Sequence, residues 1–273
     1  MDTPFWNQVS RAAEREAQKL GVSLEVWGNY GSHQEDFLTN LEVAIQSKVD
    51  GIIVQGLDSD KFKELTKVKA SFYGIPIMTI ANDVPIEESF RRTYVGSDQH
   101  KAGELLAKQL ISDMGDTGDV VLVFNKNVEH YQEQRIAGIE EVLQVYTGIN
   151  LHYAKTSNAR EDMVATIQDT LNQFPNADAF IAVNANSVGA IVQEISKRYQ
   201  VEPFYIYSFD EGPESISLLK QGVIDAVIKQ SPEEMGRKSI DLLAKWLNGN
   251  LVPLNTEGYV TDIQVLKAVD LHE

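Results

Sequence analysis

Asp210 and Gln230 each follow an apolar run. Asp210 comes after Tyr205-Ile206-Tyr207-Ser208-Phe209 and opens Asp210-Glu211-Gly212-Pro213; twenty residues on, Gln230 comes after Ala226-Val227-Ile228-Lys229 and opens Gln230-Ser231-Pro232. Both runs read as buried parallel strands, and each polar residue stands just before a predicted helix. In open α/β sheets, ligands bind at the carboxyl ends of the strands. A carboxylate there accepts from two adjacent hydroxyls through its two oxygens. An amide both donates and accepts, and Asn184, at the end of Phe180-Ile181-Ala182-Val183, supplies a second one. Such a set suits a neutral, polyhydroxylated ligand of the sugar type.

The residues that would support catalysis are not arranged for it. The five histidines are His33, His100, His130, His152 and His272, and no two form an HxxxH or HExxH pair. His130 lies five residues before Arg135 and reads as a solvated loop residue. No GxSxG and no GxxxxGK[ST] occurs. The pairs Glu140-Glu141 and Glu233-Glu234 read as solvated helix positions, and Glu87-Glu88 lies in a proline-flanked loop. Cysteine is absent, which excludes disulfides, thiolate metal sites and thiol nucleophiles. The expectation is a protein without enzymatic activity, metal or cofactor. A net charge of −16 argues against nucleic acid as a partner. No run of about 18 apolar residues is present, so no membrane insertion of this segment is expected. Met1-Asp2-Thr3-Pro4 shows neither a basic n-region nor an apolar h-region, so an export signal is absent from this sequence.

The elements that must position these side chains alternate almost throughout. A first amphipathic helix spans residues 5–20, with Val9, Ala13, Ala17 and Leu20 at helical spacing. Strand 24–27, helix 35–46, strand 51–55, helix 61–72 and strand 77–80 follow. A second series runs helix 101–114, strand 120–124, helix 133–145, strand 150–154, helix 161–174, strand 179–183, helix 187–199, strand 204–209, helix 214–221 and strand 226–229. Helix 233–247 and an extended stretch, 259–265, complete the pattern. Repeated strand–helix units predict an α/β fold of parallel sheets with helices on both faces. Two series predict two Rossmann-like lobes, residues 1–97 plus 231–261 and residues 98–230 plus 262–273. The chain would pass between them near Gly96-Ser97-Asp98, Gln230-Ser231-Pro232 and Val260-Thr261-Asp262, giving a three-segment hinge and a ligand cleft between the lobes.

A set of segments in this order resembles the type I periplasmic binding proteins, specifically their ribose-binding-like sugar-binding group. The resemblance covers essentially the whole chain. It is carried by Pro4-Phe5-Trp6, Ala17-Gln18-Lys19-Leu20-Gly21, Lys48-Val49-Asp50-Gly51-Ile52-Ile53-Val54, Gly74-Ile75-Pro76-Ile77 and Val95-Gly96-Ser97-Asp98-Gln99-His100-Lys101-Ala102-Gly103. It continues in Gln134-Arg135-Ile136-Ala137-Gly138, Phe180-Ile181-Ala182-Val183-Asn184, Phe209-Asp210 and Gln230-Ser231-Pro232. The resemblance implies an extracytoplasmic protein, periplasmic or a cell-surface lipoprotein. It would close on a monosaccharide or related polyol and present it to an ABC importer permease or a membrane sensor kinase. The family's fold opens with an apolar strand just before the Pro-Phe-aromatic segment. This sequence begins only three residues before Pro4, too few to hold that strand, so the reading is a shortened chain or a native start upstream of Met1. Loss of a central strand would leave sheet hydrogen bonds unpaired.

The resemblance also implies ligand contacts. Phe5 and Trp6 would stack on the apolar faces of a sugar ring, and Arg135 would donate to sugar oxygens. Asn184, Asp210 and Gln230 complete that set. Ribose-binding relatives carry an Asp-Arg pair where this chain has Ala81-Asn82, so Asn82 or Asp83 would take its place. Asn158 stands where those relatives place an aromatic. These departures leave a different pentose, a hexose, a polyol or a furanosyl signal molecule open. Each position also has a plain structural role: a staple onto the first helix for Phe5 and Trp6, and an ion pair with Glu133 or Glu140 for Arg135. For the others the plain roles are helix caps at Asn184 and Asp210, a turn at Asn82 and Asp83, and strand-end solvation at Gln230. The second functional reading is the effector domain of a sugar-responsive LacI-type repressor. The acidic charge and the lack of a helix-turn-helix before Pro4 count against it.

Overall fold

A computed structural model describes residues 4–28, 34–198, 204–251 and 254–271. His33, His272 and the predicted helix end at Tyr199 lie outside these residues. The chain divides into two compact units, Met1–Ser97 with Ser231–Asp262, and Asp98–Gln230 with Ile263–Glu273.

Unit 1 begins with α1 (Pro4–Leu20), whose Val9, Ala12, Ala13 and Ala17 form its buried face. Gly21, at φ +68°, ends the helix in the left-handed conformation that glycine adopts without a steric penalty. After it come α2 (Gln34–Gln46), β1 (Ile52–Val54), α3 (Asp60–Lys63) with a π-wound continuation (Glu64–Ala70), β2 (Ile77–Ile80), α4 (Ile86–Ser89) and β3 (Thr93–Gly96). The order of its sheet is β1-β2-β3 plus a short strand, Tyr259–Val260, with every pairing parallel. All four residues of β2 are buried. Ile77 faces the cluster under α2 and α3, whereas Met78 and Ile80 face the cluster under α1.

The predicted strand at 24–27 does not form. Residues 22–28 join no ladder, and β1 is left at the sheet's edge. A strand exists only through a neighbour that takes its hydrogen bonds, and among the described residues no strand pairs with this segment. Leu24 still packs on Ala13, Ala17 and Ile240, while Val26 and Trp27 are exposed.

Unit 2 opens with α5 (Gln99–Met114). It continues with β4 (Thr117–Asn125), α6 (His130–Leu143), β5 (Gly148–Thr156), α7 (Arg160–Gln173), β6 (Ala179–Ala182), α8 (Ala185–Ser196), β7 (Tyr205–Phe209), α9 (Pro213–Lys220) and β8 (Ala226–Lys229). Helix α10 (Pro232–Leu247) returns to unit 1, where β9 (Tyr259–Val260) is the short strand already met. The predicted stretch 259–265 is therefore two strands in two sheets: β9 pairs with β3, and β10 (Gln264–Leu266) pairs antiparallel with β8. Unit 2's sheet runs β10-β8-β7-β6-β4-β5. Its inner strands are apolar on both faces. Val120, Leu122 and Phe124 pack under α5 and α6, and Val121 and Val123 pack with α7 and α8. That two-sided burial is the reason these strands read as continuous apolar runs.

Helices α5 and α6 touch backbone to backbone. A Cβ on Gly103 would collide with the Arg135 carbonyl oxygen, and one on Gly138 with that of His100. Glycine at both positions thus brings Arg135 close to the start of α5. Among the described residues, no helix is long and apolar enough to cross a membrane, and no group of acidic or histidine side chains is placed to hold a metal ion.

A ring of polar side chains at four strand ends

In unit 2 the carboxyl ends of four neighbouring parallel strands each carry one polar side chain. Asn125 ends β4, Asn184 lies just past β6, Asp210 follows β7 and Gln230 follows β8. The parallel sheet puts all four at the same edge. Arg135 comes to them from α6. It is 1% exposed, among the most completely buried large side chains of the protein. Its Nη1 donates to Asp210 Oδ2 at 3.0 Å and its Nη2 to Asp210 Oδ1 at 3.1 Å, the two-pronged geometry a guanidinium makes with a carboxylate. Nη1 also donates to the Val183 carbonyl oxygen (2.8 Å), and Nε donates to Gln99 Oε1 (2.8 Å). The guanidinium lies 4.4 Å from the Phe209 ring centroid and 5.0 Å from that of Tyr131. Aromatic faces hold a cation by their quadrupole without using its N–H groups. Burial pushes the Tyr131 phenol well above its ordinary range, so the ring stays neutral.

Gln230 Nε2 donates to Asp210 Oδ1 at 2.5 Å, and Gln230 Oε1 accepts from Gln99 Nε2 at 3.3 Å. Gln99, Arg135, Asp210 and Gln230 therefore form a closed ring of hydrogen bonds. A guanidinium has five N–H bonds. The Gln99, Val183 and two Asp210 contacts use four of them, leaving one on Nη2. Asp210 takes two donors on Oδ1 and one on Oδ2, so Oδ2 keeps room for another. What the ring offers a ligand is one guanidinium donor and one carboxylate acceptor, with their charges already balanced. A neutral molecule with neighbouring hydroxyls fits such an offer. An ion would have to displace one partner of a largely buried pair.

The other predicted residues fall out as follows. Asn184 is the N-cap of α8, its Oδ1 accepting from Asn186 N (3.0 Å), and its Nδ2 donates to Asn125 Oδ1 (3.4 Å). It thus performs the capping role and still stands at the strand ends. Asp210 is not a cap, because Gly212 occupies that position before α9. Arg135 pairs with neither Glu133 nor Glu140 but with Asp210. Asn158 is exposed in the turn between β5 and α7, outside the ring.

In unit 1, Phe5 and Trp6 sit on the first turn of α1. Their rings meet edge to face, with centroids 5.2 Å apart, and both lie half-buried against the cluster that includes Ile80 and Ala81. Asn82 follows directly, its backbone held by Gly56 N (2.8 Å to Asn82 O) and by its own N–H to Ile80 O (2.7 Å). Asp83 is engaged within its own loop. Oδ1 accepts from Thr79 Oγ1 (2.5 Å) and Oδ2 from Arg91 Nη2 (2.6 Å), and Arg91 also ties to the Val84 and Thr256 carbonyls.

Three side chains of unit 2's set were not anticipated. Asn125 lies one residue beyond the predicted end of its strand. Tyr131 shows in sequence only as an aromatic one turn ahead of Arg135. Gln99 stands inside one of the segments that carry the resemblance, but nothing in the order of residues pairs it with Arg135.

With this geometry in hand, the comparisons with known proteins agree. The model of the periplasmic binding protein domain matches residues 1–251. The ribose import binding protein of Bacillus subtilis (strain 168) is 22% identical over 256 residues, covering 92% of this chain and 80% of that protein. The crystal structure of GanP, a glucose-galactose binding protein from Geobacillus stearothermophilus, superposes with a TM-score of 0.90 at 28% identity, over 99% of this chain and 95% of the other. The XylFII-LytSN complex gives 0.82 at 23% identity, over 98% and 94%. Parallel strands in two units, polar side chains at the strand ends, and a family model spanning most of the chain together make this protein a member of the type I periplasmic binding protein family, in its ribose-binding-like, sugar-binding group.

Proposed function

We propose that this chain binds a monosaccharide or related polyol outside the cytoplasm and presents it to a membrane partner, an ABC importer or a sensor kinase. The observation that carries the reading is the Arg135–Asp210–Gln230 set, which keeps a spare guanidinium N–H and a spare carboxylate acceptor at the carboxyl ends of a parallel sheet. Sugar hydroxyls accept from such a donor and donate to such an acceptor. Asn184 offers its remaining amide hydrogen. Phe5 and Trp6 supply apolar ring faces, and Asn82 supplies an amide. Asp83 belongs to the same set and acts through the loop it braces with Arg91, and Asn158 contacts the ligand from the exposed β5–α7 turn. The membrane partner follows from the relatives. One is an import binding protein, and a structural neighbour is a complex of XylFII with LytSN.

The test is a thermal-shift screen of the purified chain against D-ribose, D-allose, D-glucose, D-galactose and simple polyols, followed by calorimetry on any hit. A ligand that binds only the folded state stabilises it by about 2.7 kcal/mol at a hundred times its Kd. The expected result is a concentration-dependent rise in Tm with one or a few of these sugars. A cooperative melt that no sugar or polyol moves would remove the reading.

A further inference from the structure

We infer that Gln99 is a positioning residue for the sugar site, holding Arg135 and Gln230 in the orientations that leave their remaining N–H groups for the ligand. Gln99 is the first residue of α5, after the N-cap Asp98, and its side chain is buried. It is the one member of the ring that does not touch Asp210. Its Oε1 accepts from Arg135 Nε (2.8 Å), and its Nε2 donates to Gln230 Oε1 (3.3 Å).

Each bond removes a freedom the site cannot tolerate. The fork on Asp210 and the bond to the Val183 carbonyl hold the two terminal nitrogens of Arg135. The bond at Nε holds the third and fixes where the spare Nη2–H points. Without Gln99, that Nε–H would be buried with no acceptor, a situation folded proteins avoid. Gln230 has two ends of nearly equal shape. Because Gln99 places an N–H on Oε1, Nε2 must face Asp210; turned over, the amide would set its oxygen against a carboxylate. Gln99 thus decides both orientations from one buried position, helped by the close α5–α6 approach at Gly103 and Gly138.

The effect on affinity rests on the sugar-binding reading above, but the hydrogen bond to Arg135 does not. The experiment therefore has two arms on the full chain. The first is the Arg135 Nε–H proton resonance of the protein without sugar, assigned by its loss in Arg135→Lys. It should exchange slowly with water in the wild type, lose that protection in Gln99→Ala, and recover it in Gln99→Glu, which keeps an acceptor at the same reach. The second arm is calorimetry with the sugar panel. Gln99→Ala should weaken binding about tenfold, Gln99→Glu should lie closer to wild type, and Gln99→Ala with Gln230→Ala should lose less than the product of the single losses. If Gln99→Ala does not fold, Gln99→Asn, one methylene shorter and still polar, takes its place with the same expectations. Unchanged protection of the Nε–H in a folded Gln99→Ala or Gln99→Asn overturns the inference, as does unchanged affinity. If no sugar binds the wild type, the function proposed above fails, and the resonance alone decides the role of Gln99.

Discussion

Two strand ends in this protein share a backbone and differ in what hangs from it. In unit 1, β2 is followed by Ala81 at φ +65°; in unit 2, β7 is followed by Asp210 at φ +71°. Ala81 N donates to the Val95 carbonyl on β3, and Asp210 N to the Ile228 carbonyl on β8. The turns that follow differ by one residue: Asn82 N bonds Ile80 O across Ala81, whereas Gly212 N bonds Asp210 O across Glu211. A left-handed residue at the end of a parallel strand turns its side chain out of the pleat and toward the strand's carboxyl edge. Aspartate tolerates that conformation well, alanine poorly. Unit 2 uses the turn to hold a carboxylate in a hydrogen-bonded ring. Unit 1 has the same left-handed residue at its strand end but puts no functional group on it, and its polar groups fall to Asn82 and Asp83. The backbone at a strand end is therefore not enough to name a site. The side chain and the cation that meets it are what distinguish the two ends.

The sharpest break of this comparison is Asp210→Ala, which makes the unit 2 strand end resemble the unit 1 strand end. It leaves the Arg135 guanidinium buried without its counter-ion and puts alanine at φ +71°. Removing one partner of a fully buried pair costs about 3–5 kcal/mol. Asp210 keeps some solvent, so the expected loss is about 2–4 kcal/mol by urea denaturation, together with loss of measurable sugar binding. A variant as stable as wild type would show that the ring does not hold this strand end. Asp210→Asn is the milder form. Asparagine keeps the left-handed turn and the shape but not the charge. Charge-assisted hydrogen bonds contribute about 1.5–3 kcal/mol, so affinity should fall about 10- to 100-fold by calorimetry while stability drops less than in Asp210→Ala. Equal affinity would mean that the carboxylate is not what sets the two strand ends apart.

How much of this was legible in the sequence follows the same division. Strand and helix alternation located nearly every element, and β2 and β8 were placed at their observed bounds, because two-sided burial writes itself as an unbroken apolar run. Asp210, Gln230 and Asn184 were visible because each interrupts such a run. The failures are pairings. Residues 24–27 have strand-like composition but no adjacent strand to bond with, and composition does not record neighbours. The extended stretch 259–265 was read as one element because nothing local marks where a chain leaves one sheet for another. Strand β3 was assigned to no element, and only its last residue, Gly96, stands in a segment read as a junction. The ion pair between Arg135 and Asp210 spans 75 residues, and its alternative partners Glu133 and Glu140 are close in sequence, so proximity along the chain pointed the wrong way. Gln99 was missed for the same reason, since its partners lie 36 and 131 residues away.

Ala81→Gly tests the unit 1 side. If the left-handed turn is imposed by the fold rather than chosen by the side chain, alanine there stores strain of about 1–3 kcal/mol. Glycine relieves it, partly offset by the greater freedom glycine gains in the unfolded chain and by the loss of a buried methyl. The expected net result is stabilisation of about 0.5–1 kcal/mol, with sugar affinity unchanged because the Ala81 side chain offers no polar atom. A destabilised variant would mean that packing of the Ala81 methyl outweighs its backbone strain.

The smallest effect sharpens a contrast within β7 itself. At its carboxyl end Asp210 is paired with Arg135. Beside its amino end lies Asp225, whose Oδ2 accepts from Ile206 N at 2.7 Å. Burial pushes the Asp225 carboxyl above the ordinary carboxylate range, outweighing the bond from Ile206 N; the nearby charge of Asp113 adds to the rise and that of Lys267 opposes it. The folded state thus binds this proton more tightly than the unfolded state does. The stability it contributes is fully present below the ordinary aspartate pKa and is lost as pH rises through the raised folded value. Asp225→Asn keeps an acceptor for Ile206 N and removes the titration. Its Tm relative to wild type should therefore be higher at pH 7 than at pH 4, by at most about 1 kcal/mol, or about 2–4 °C for a chain of this size. A constant offset between the two pH values would show that Asp225 titrates alike in the folded and unfolded chains.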